Sequence, residues 1–332
     1  MSLIYIDDPK SVIGINGNRI VIRYSSEYSR SIPIELVEGI TMLGPAQLTS
    51  QCMETCMTKG IPVSFLSRSG KYYGRLMSTG HMRPELQRKQ CNLYDKPFSV
   101  EFAKKICTAK IKNQLTVIRR YEKGSEKGLD AQIFAMKNSI SKIDRCTSIP
   151  EVNGYEGQAA KNYFQALAMC IDTEFRFSGR NRRPPKDPFN SMISLGYSII
   201  LNELYSEIEM RGMNPYFGFM HRDKEHHPTL ASDLIEEWRA ALIDTTVMSL
   251  INGHEIHMDQ FEYDEDGGCY LKKDGLRIFL NKLENKLSTK VKYFSYTQDS
   301  MDFRYGISLQ VGCLIKAIEK EDTSFYHPLL IR

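Results

Sequence analysis

The sequence predicts an α+β chain, with a β-rich domain over residues 1–80, a linker containing a short helix over 81–98, and a helical domain over 99–332. Three observations carry this division. Short β-branched runs separated by turn residues fill the first part, Gly80, Pro84 and Pro97 punctuate the next, and beyond residue 99 the apolar spacing changes from about two to about 3.6.

Leu3 to Ile6, Val12 to Ile15 and Ile20 to Ile22 read as strands, and Asn16-Gly17-Asn18 between the last two is a hairpin signal. Ile32 to Ile34 and Gly39 to Leu43 continue the strand pattern. Pro45 to Lys59 reads as one helix stopped by Gly60; Ile61 to Leu66, a turn at Ser67 to Gly70, and Tyr72 to Leu76 then form a second hairpin. From Ser99, Cys107, Ile111, Leu115, Ile118 and Tyr121 form an apolar stripe. Lys104, Lys105, Lys110, Lys112, Arg119 and Arg120 are assigned to the charged remainder, a solvated face or a DNA contact. A loop from Glu122 to Gly128 leads to a helix over Asp130 to Arg145. Asn153 to Gly157 opens another helix, and a long apolar helix covers Ser191 to Arg211. Later helices end near Leu250 or span Asp274 to Lys286 and Gln298 to Lys320, with an acidic β-turn excursion over Glu262 to Lys273.

A chain of 332 residues with 42% hydrophobic and 25% charged residues has the composition of a globular protein long enough for two domains. The net charge of +4 supplies no global basic field, so any nucleic-acid contact must come from local clusters. No basic lead precedes an apolar run at MSLIYIDDPK, and no stretch approaches the roughly 20 apolar residues of a membrane span, so a cytoplasmic protein without membrane contact is expected. The eight cysteines include no CxxC pair, and Cys52 and Cys56, one helical turn apart, read as packing residues.

The stretch GFMHRDKEHHPTLASDLIEEWR, Gly218 to Arg239, places His221 ahead of a helix that carries Asp233, Glu236 and Glu237. Steps of three and four from Glu236 meet Ala240, Ile243 and Val247; from Glu237 they meet Ala241, Asp244 and Met248. The apolar seam predicts that Glu236 points inward, where a carboxylate needs a partner or a metal. The competing reading makes Asp233 a cap on a surface helix. Glu156 heads a similar seam, Ala160, Tyr163, Leu167 and Ile171, against the alternative of a helix-start carboxylate. The loop RFSGRNRRPPKDPFN concentrates Arg176, Arg180, Arg182, Arg183 and Lys186 against Asp187, which suits phosphate binding or a solvated surface equally.

Several fragments, weak singly and specific in this order, carry a resemblance. They are Ile32-Pro33-Ile34 with Val37 to Ile40, Gly44 to Ser50, Gly60 to Leu66, Ala109 to Gln114, Tyr155-Glu156-Gly157 with Ala159-Ala160 and Tyr163-Phe164, Asp187 to Asn190 with Gly196-Tyr197, Gly212 to Pro215 with Gly218 to His221, and Asp233 to Glu236 with Arg239. Over essentially the whole chain this series resembles the CRISPR-associated spacer-acquisition integrases, metal-dependent DNA endonucleases. The resemblance implies an N-terminal β-sandwich used for dimerisation and an all-helical catalytic domain. It also implies a homodimer that joins a small ferredoxin-like CRISPR-associated partner on double-stranded DNA. It makes Glu156, His221 and Glu236 the catalytic residues, and these three with Asp233 in the same pocket the metal site for Mg²⁺ or Mn²⁺, with either Asp233 or Glu236 as the direct acidic ligand. Relatives often have aspartate where Glu236 stands. Arg180, Arg182, Arg183, Lys186 and Arg239 become the phosphate-contacting candidates. Two other readings stand beside this one: a DNA-binding scaffold without activity, and a metal phosphohydrolase built on His226, His227, His254 and His257, for which the His254/His257 spacing is a weak signal.

Overall fold

The computed structural model describes residues 2–24, 28–122, 128–292 and 299–331. The chain is α+β and divides into two compact units, Met1–Met82 and Arg83–Arg332.

The first unit is a sandwich of two four-stranded sheets. Its strands are β1 (Ser2–Ile6), β2 (Val12–Asn16), β3 (Arg19–Arg23), β4 (Ser29–Pro33), β5 (Val37–Leu43), β6 (Gln47–Leu48), β7 (Val63–Leu66) and β8 (Tyr72–Leu76), with one helix, α1 (Ser50–Thr58). One sheet has the order β1-β5-β7-β8 and the other β4-β3-β2-β6. Asn16 pairs with Arg19, which leaves Gly17 and Asn18 as a two-residue turn, and Gly17 has φ +58 as such turns require. Ile4, Ile6, Ile13, Ile20, Ile22, Ile40 and Val63 from the two sheets share one core with Cys52 and Cys56 of α1. The helix expected from Pro45 begins only at Ser50, because Gln47–Leu48 pairs in parallel with Val12 and Ile13 and Thr49 caps the helix through Cys52 N–H.

The second unit begins with α2 (Pro84–Asn92), α3 (Pro97–Glu122), α4 (Asp130–Ile143), α5 (Ile149–Cys170) and α6 (Pro188–Met210). It continues with α7 (Thr229–Trp238), a π-helical segment (Arg239–Asp244) and α8 (Thr245–Asn252), then the hairpin β9 (Phe261–Tyr263) and β10 (Cys269–Leu271), α9 (Lys273–Leu287) and α10 (Phe303–Lys320). Helix α7 is the centre, packed by α3 and α6, and all ten of its residues are buried. Several starts differ from the sequence expectation, among them α10, which begins at Phe303 rather than Gln298. Helix α3 begins at Pro97; α5 begins at Ile149, so Glu156 lies two turns inside it and is no helix-start carboxylate; and α6 begins at Pro188, where Asp187 accepts the Asn190 N–H at 2.8 Å. Of the two expected segments at Glu122 to Gly128 and Gln298 onward, residues 123–127 and 293–298 lie outside the described residues. Among the described residues no helix is long and apolar enough to cross a membrane.

Candidate active site

Asp233 anchors the site. Its Oδ2 accepts the N–H groups of Phe219 (2.7 Å) and Met220 (3.0 Å), and its Oδ1 accepts the His221 N–H (3.0 Å) and lies 2.6 Å from His221 Nδ1. The loop can approach α7 this closely because residue 218 is glycine: a Cβ there would stand 2.8 Å from the Thr229 carbonyl carbon and 2.9 Å from Asp233 Oδ2. A carboxylate has about four lone-pair positions, and here all four are engaged. Asp233, fully buried, therefore ties down the loop and the imidazole. This burial departs from the alternative of a surface-helix cap.

With Nδ1 donating to Asp233, the neutral form of His221 would present the lone pair of Nε2, 3.9 Å from Glu236 Oε1. Burial works to lower the His221 pKa, but the Asp233 hydrogen bond and the charges of Asp233 and Glu236 outweigh it and raise it. Glu236 also lies 3.1 Å from Arg239 and 2.6 Å from the ammonium of Lys110, which in turn holds Glu156. Burial by itself would push the Glu236 carboxyl up; Arg239, Lys110 and His221 bring it down to about 2. Glu156, His221 and Glu236, from α5, the 218–221 loop and α7, thus meet in one cluster joined by Lys110. The donor types are two carboxylates and an imidazole nitrogen, and Glu236 Oε2, shielded from solvent, has no hydrogen bond of good geometry despite its ion pair with Lys110. Such donor types suit Mg²⁺ or Mn²⁺, but as they stand no three His, Cys, Asp or Glu side chains among the described residues are spaced to hold an ion, these three included.

Both glutamates of the pair 236–237 point inward, contrary to the seam argument. Because α7 is buried all round, facing the core does not distinguish them. Glu237 meets neutral donors instead: Tyr326 Oη and Gln310 Nε2 at one oxygen and the Leu329 N–H (2.6 Å) at the other. Burial raises it to about 8 in spite of those bonds.

The five basic candidates separate. Arg180 is packed, donating to Asn190 (2.8 Å) and Ser194 (3.0 Å), and burial lowers it to about 10. The Tyr197 ring lies 5.5 Å from its guanidinium and 4.7 Å from that of Arg239, and the Tyr197 hydroxyl donates to buried Asp244 (2.5 Å), which also accepts from Tyr163 (2.7 Å). Burial raises Asp244 to about 6. Arg182, Arg183 and Lys186 are exposed on the same loop. Of the alternative histidines, His227 Nε2 lies 3.0 Å from Ser232, His254 is 3.8 Å from Asp172, and His226 and His257 are exposed; they form no cluster.

Lys110, Tyr197, Tyr163 and Asp244 are the contributors that the pattern missed. Lys110 was placed with the charged face of α3, yet it is buried, three residues after buried Cys107 and four before buried Gln114, and that spacing is the signal that could have found it.

The chain matches the family described as CRISPR associated protein Cas1 over residues 4–285. It is 34% identical over 322 residues to the CRISPR-associated endonuclease Cas1 of Mycobacterium tuberculosis, covering 96% of this chain and 94% of that protein. It shares its fold with a casposase bound to an integration product (TM-score 0.85, 24% identity, 97% of this chain and 92% of the other). It also shares it with a chain of a Cas6-RT-Cas1–Cas2 complex (TM-score 0.84, 24% identity), covering 98% of this chain but 36% of that longer one.

Proposed function

We propose, from the premise that this chain belongs to the Cas1 family, that it is a divalent-metal-dependent DNA endonuclease and integrase that inserts new spacers into a CRISPR array. What carries the reading is the cluster of Glu156, Glu236 and His221, where a carboxylate held near the acid limit of its range faces an imidazole oriented by Asp233. In it Glu156, His221 Nε2 and Glu236 hold Mg²⁺ or Mn²⁺, and Asp233 positions His221. When bound, such an ion polarises the scissile phosphate and offsets the charge that develops during in-line displacement. The chain's own residues do the rest. Asp233 keeps the Nδ1 proton and so the orientation of the ring; Arg239 steadies Glu236; Arg182, Arg183 and Lys186 draw in the DNA backbone, with Arg180 shaping their loop.

The reaction is an exchange. The 3′-hydroxyl of the spacer forms a bond to the phosphorus of the repeat strand as the existing P–O bond breaks, and the departing strand end keeps a 3′-hydroxyl, so no nucleotide triphosphate is needed. Water in place of the spacer end gives cleavage. The partners under this reading are double-stranded DNA, a second copy of the chain joined through the first unit, and a small ferredoxin-like protein of the Cas2 kind.

Strand transfer of a short duplex with a 3′-hydroxyl into a plasmid tests it, with and without Mn²⁺ and the partner protein. Product is expected only with metal. His221→Ala abolishes it, and the double change His254→Ala with His257→Ala leaves it intact. Absence of metal-dependent product leaves a DNA-binding scaffold; loss of product in the histidine double variant favours the phosphohydrolase.

A further inference from the structure

Lys110 stands between the two carboxylates of the metal site. Its Nζ is ion-paired to Glu156 and lies 2.6 Å from Glu236 Oε2, and the residue is 8% exposed. A lysine is seldom buried unless paired, and here both partners are acids that the reaction is expected to need for something else. An ammonium has three protons and no lone pair, so it cannot join the ligands of a metal ion. It can only stand in the ion's place or leave it. The charges make the same point: Glu156 and Glu236 are balanced by Lys110 and Arg239, so a divalent cation entering between those carboxylates meets a resident positive charge at close range, and their repulsion grows as the product of the charges. Among the described residues, no three acidic, histidine or cysteine side chains are arranged to hold a metal ion directly, which accords with a site filled by a cation of its own.

We propose that Lys110 is the resident counter-ion of the site. It holds Glu156 and Glu236 together in the ion-free protein, competes with the divalent cation for them, and moves off them when that cation binds. The inference rests on the metal-site reading above. In contrast to Arg239, which meets Glu236 from three residues along the same run of chain, Lys110 comes from α3 and links α5 to α7. Removing its charge therefore has two separable consequences, a weaker ion-free fold and a stronger metal site.

The test measures Mn²⁺ binding to the full chain without DNA, by calorimetry or by the electron-spin signal of free Mn²⁺, for the wild type and Lys110→Met, with thermal melts in chelator and in Mn²⁺. Lys110→Met is expected to bind Mn²⁺ roughly tenfold more tightly or better. It should melt below the wild type in chelator and recover when Mn²⁺ is added, since a ligand of the folded state alone stabilises it. Equal or weaker Mn²⁺ binding by the folded variant overturns the proposal. If the variant does not fold, a crystal of the wild type soaked in Mn²⁺ decides: Nζ withdrawn from at least one carboxylate supports it, and both ion pairs intact beside a bound Mn²⁺ overturn it. If neither protein binds Mn²⁺, the metal reading and this inference fall together, whereas wild-type binding without a gain in Lys110→Met overturns this inference alone.

Discussion

On one flank of α7, Glu236 meets Lys110, Arg239 and His221; on the other, its neighbour Glu237 meets a phenol, an amide and a backbone N–H. The two residues have the same side chain, share a helix and are both buried, yet one carboxyl lies near 2 and the other near 8. Burial pushes both upward. The difference is whether full positive charges or only neutral dipoles answer it. On the charged flank an anion persists at any working pH, as ligand chemistry needs. The neutral flank fastens the end of the chain: Glu237 takes the Leu329 N–H, and Asn113 takes the Ile331 N–H at 2.9 Å while donating to the Leu329 carbonyl. Asp244 lies between these cases at about 6, held by two phenols with Arg180 and Arg239 farther off.

The largest effect that separates the flanks is on activity. Glu236→Gln should lower metal-dependent strand transfer by at least about 10²–10³-fold, while Glu237→Gln at pH 7 should stay within roughly threefold of wild type, since the amide replaces a carboxyl that is largely protonated there. Comparable losses in the two variants would erase the distinction.

The next contrast is in stability against pH. The Glu236 carboxyl is held below its ordinary 4.5, so its stabilising contribution is complete above that value and is lost as pH falls toward 2. The Glu237 carboxyl is raised above 4.5, so the folded state binds the extra proton and stability declines as pH rises from 4.5 to about 8. The upper bound on that decline is about 5 kcal/mol. Denaturant unfolding between pH 5 and 9 should therefore show a flatter profile for Glu237→Gln than for the wild type, and parallel profiles would place the Glu237 pKa near its ordinary value.

The smallest effect concerns the intermediate case. Tyr197→Phe removes one phenol from Asp244 but keeps the ring beside Arg239, whereas Tyr197→Leu removes both. Strand transfer should fall about two- to fivefold in the first and about tenfold in the second, the scale of a partly buried cation–π contact. Equal losses would mean that the ring does not hold the arginines.

How far the sequence could be read follows from which patterns carry facial information. Alternation in the first unit and the 3.6 period in α3 report one buried face each, so strand and helix positions were legible, with boundaries displaced where a two-residue strand (Gln47–Leu48) or proline starts (Pro97, Pro188) intervened and at the starts of α5 and α10. Helix α7 defeats the same logic. Every position is buried, and the π-helical segment from Arg239 to Asp244 breaks the steps of three and four that were meant to rank Glu236 above Glu237.

By itself the sequence determined the element types and the placing of His221, Asp233 and Glu236 within one short stretch, because these follow from local periodicity and spacing. Only the tertiary structure decided that Asp233 spends its lone pairs on the loop, that Glu237 belongs to the chain end, that Arg180 and Arg239 pack on Tyr197, and that Lys110 reaches across from α3. Those outcomes depend on which distant groups meet a buried charge, and no pattern along the chain encodes a desolvated carboxylate's partners until helices far apart in sequence are packed against it.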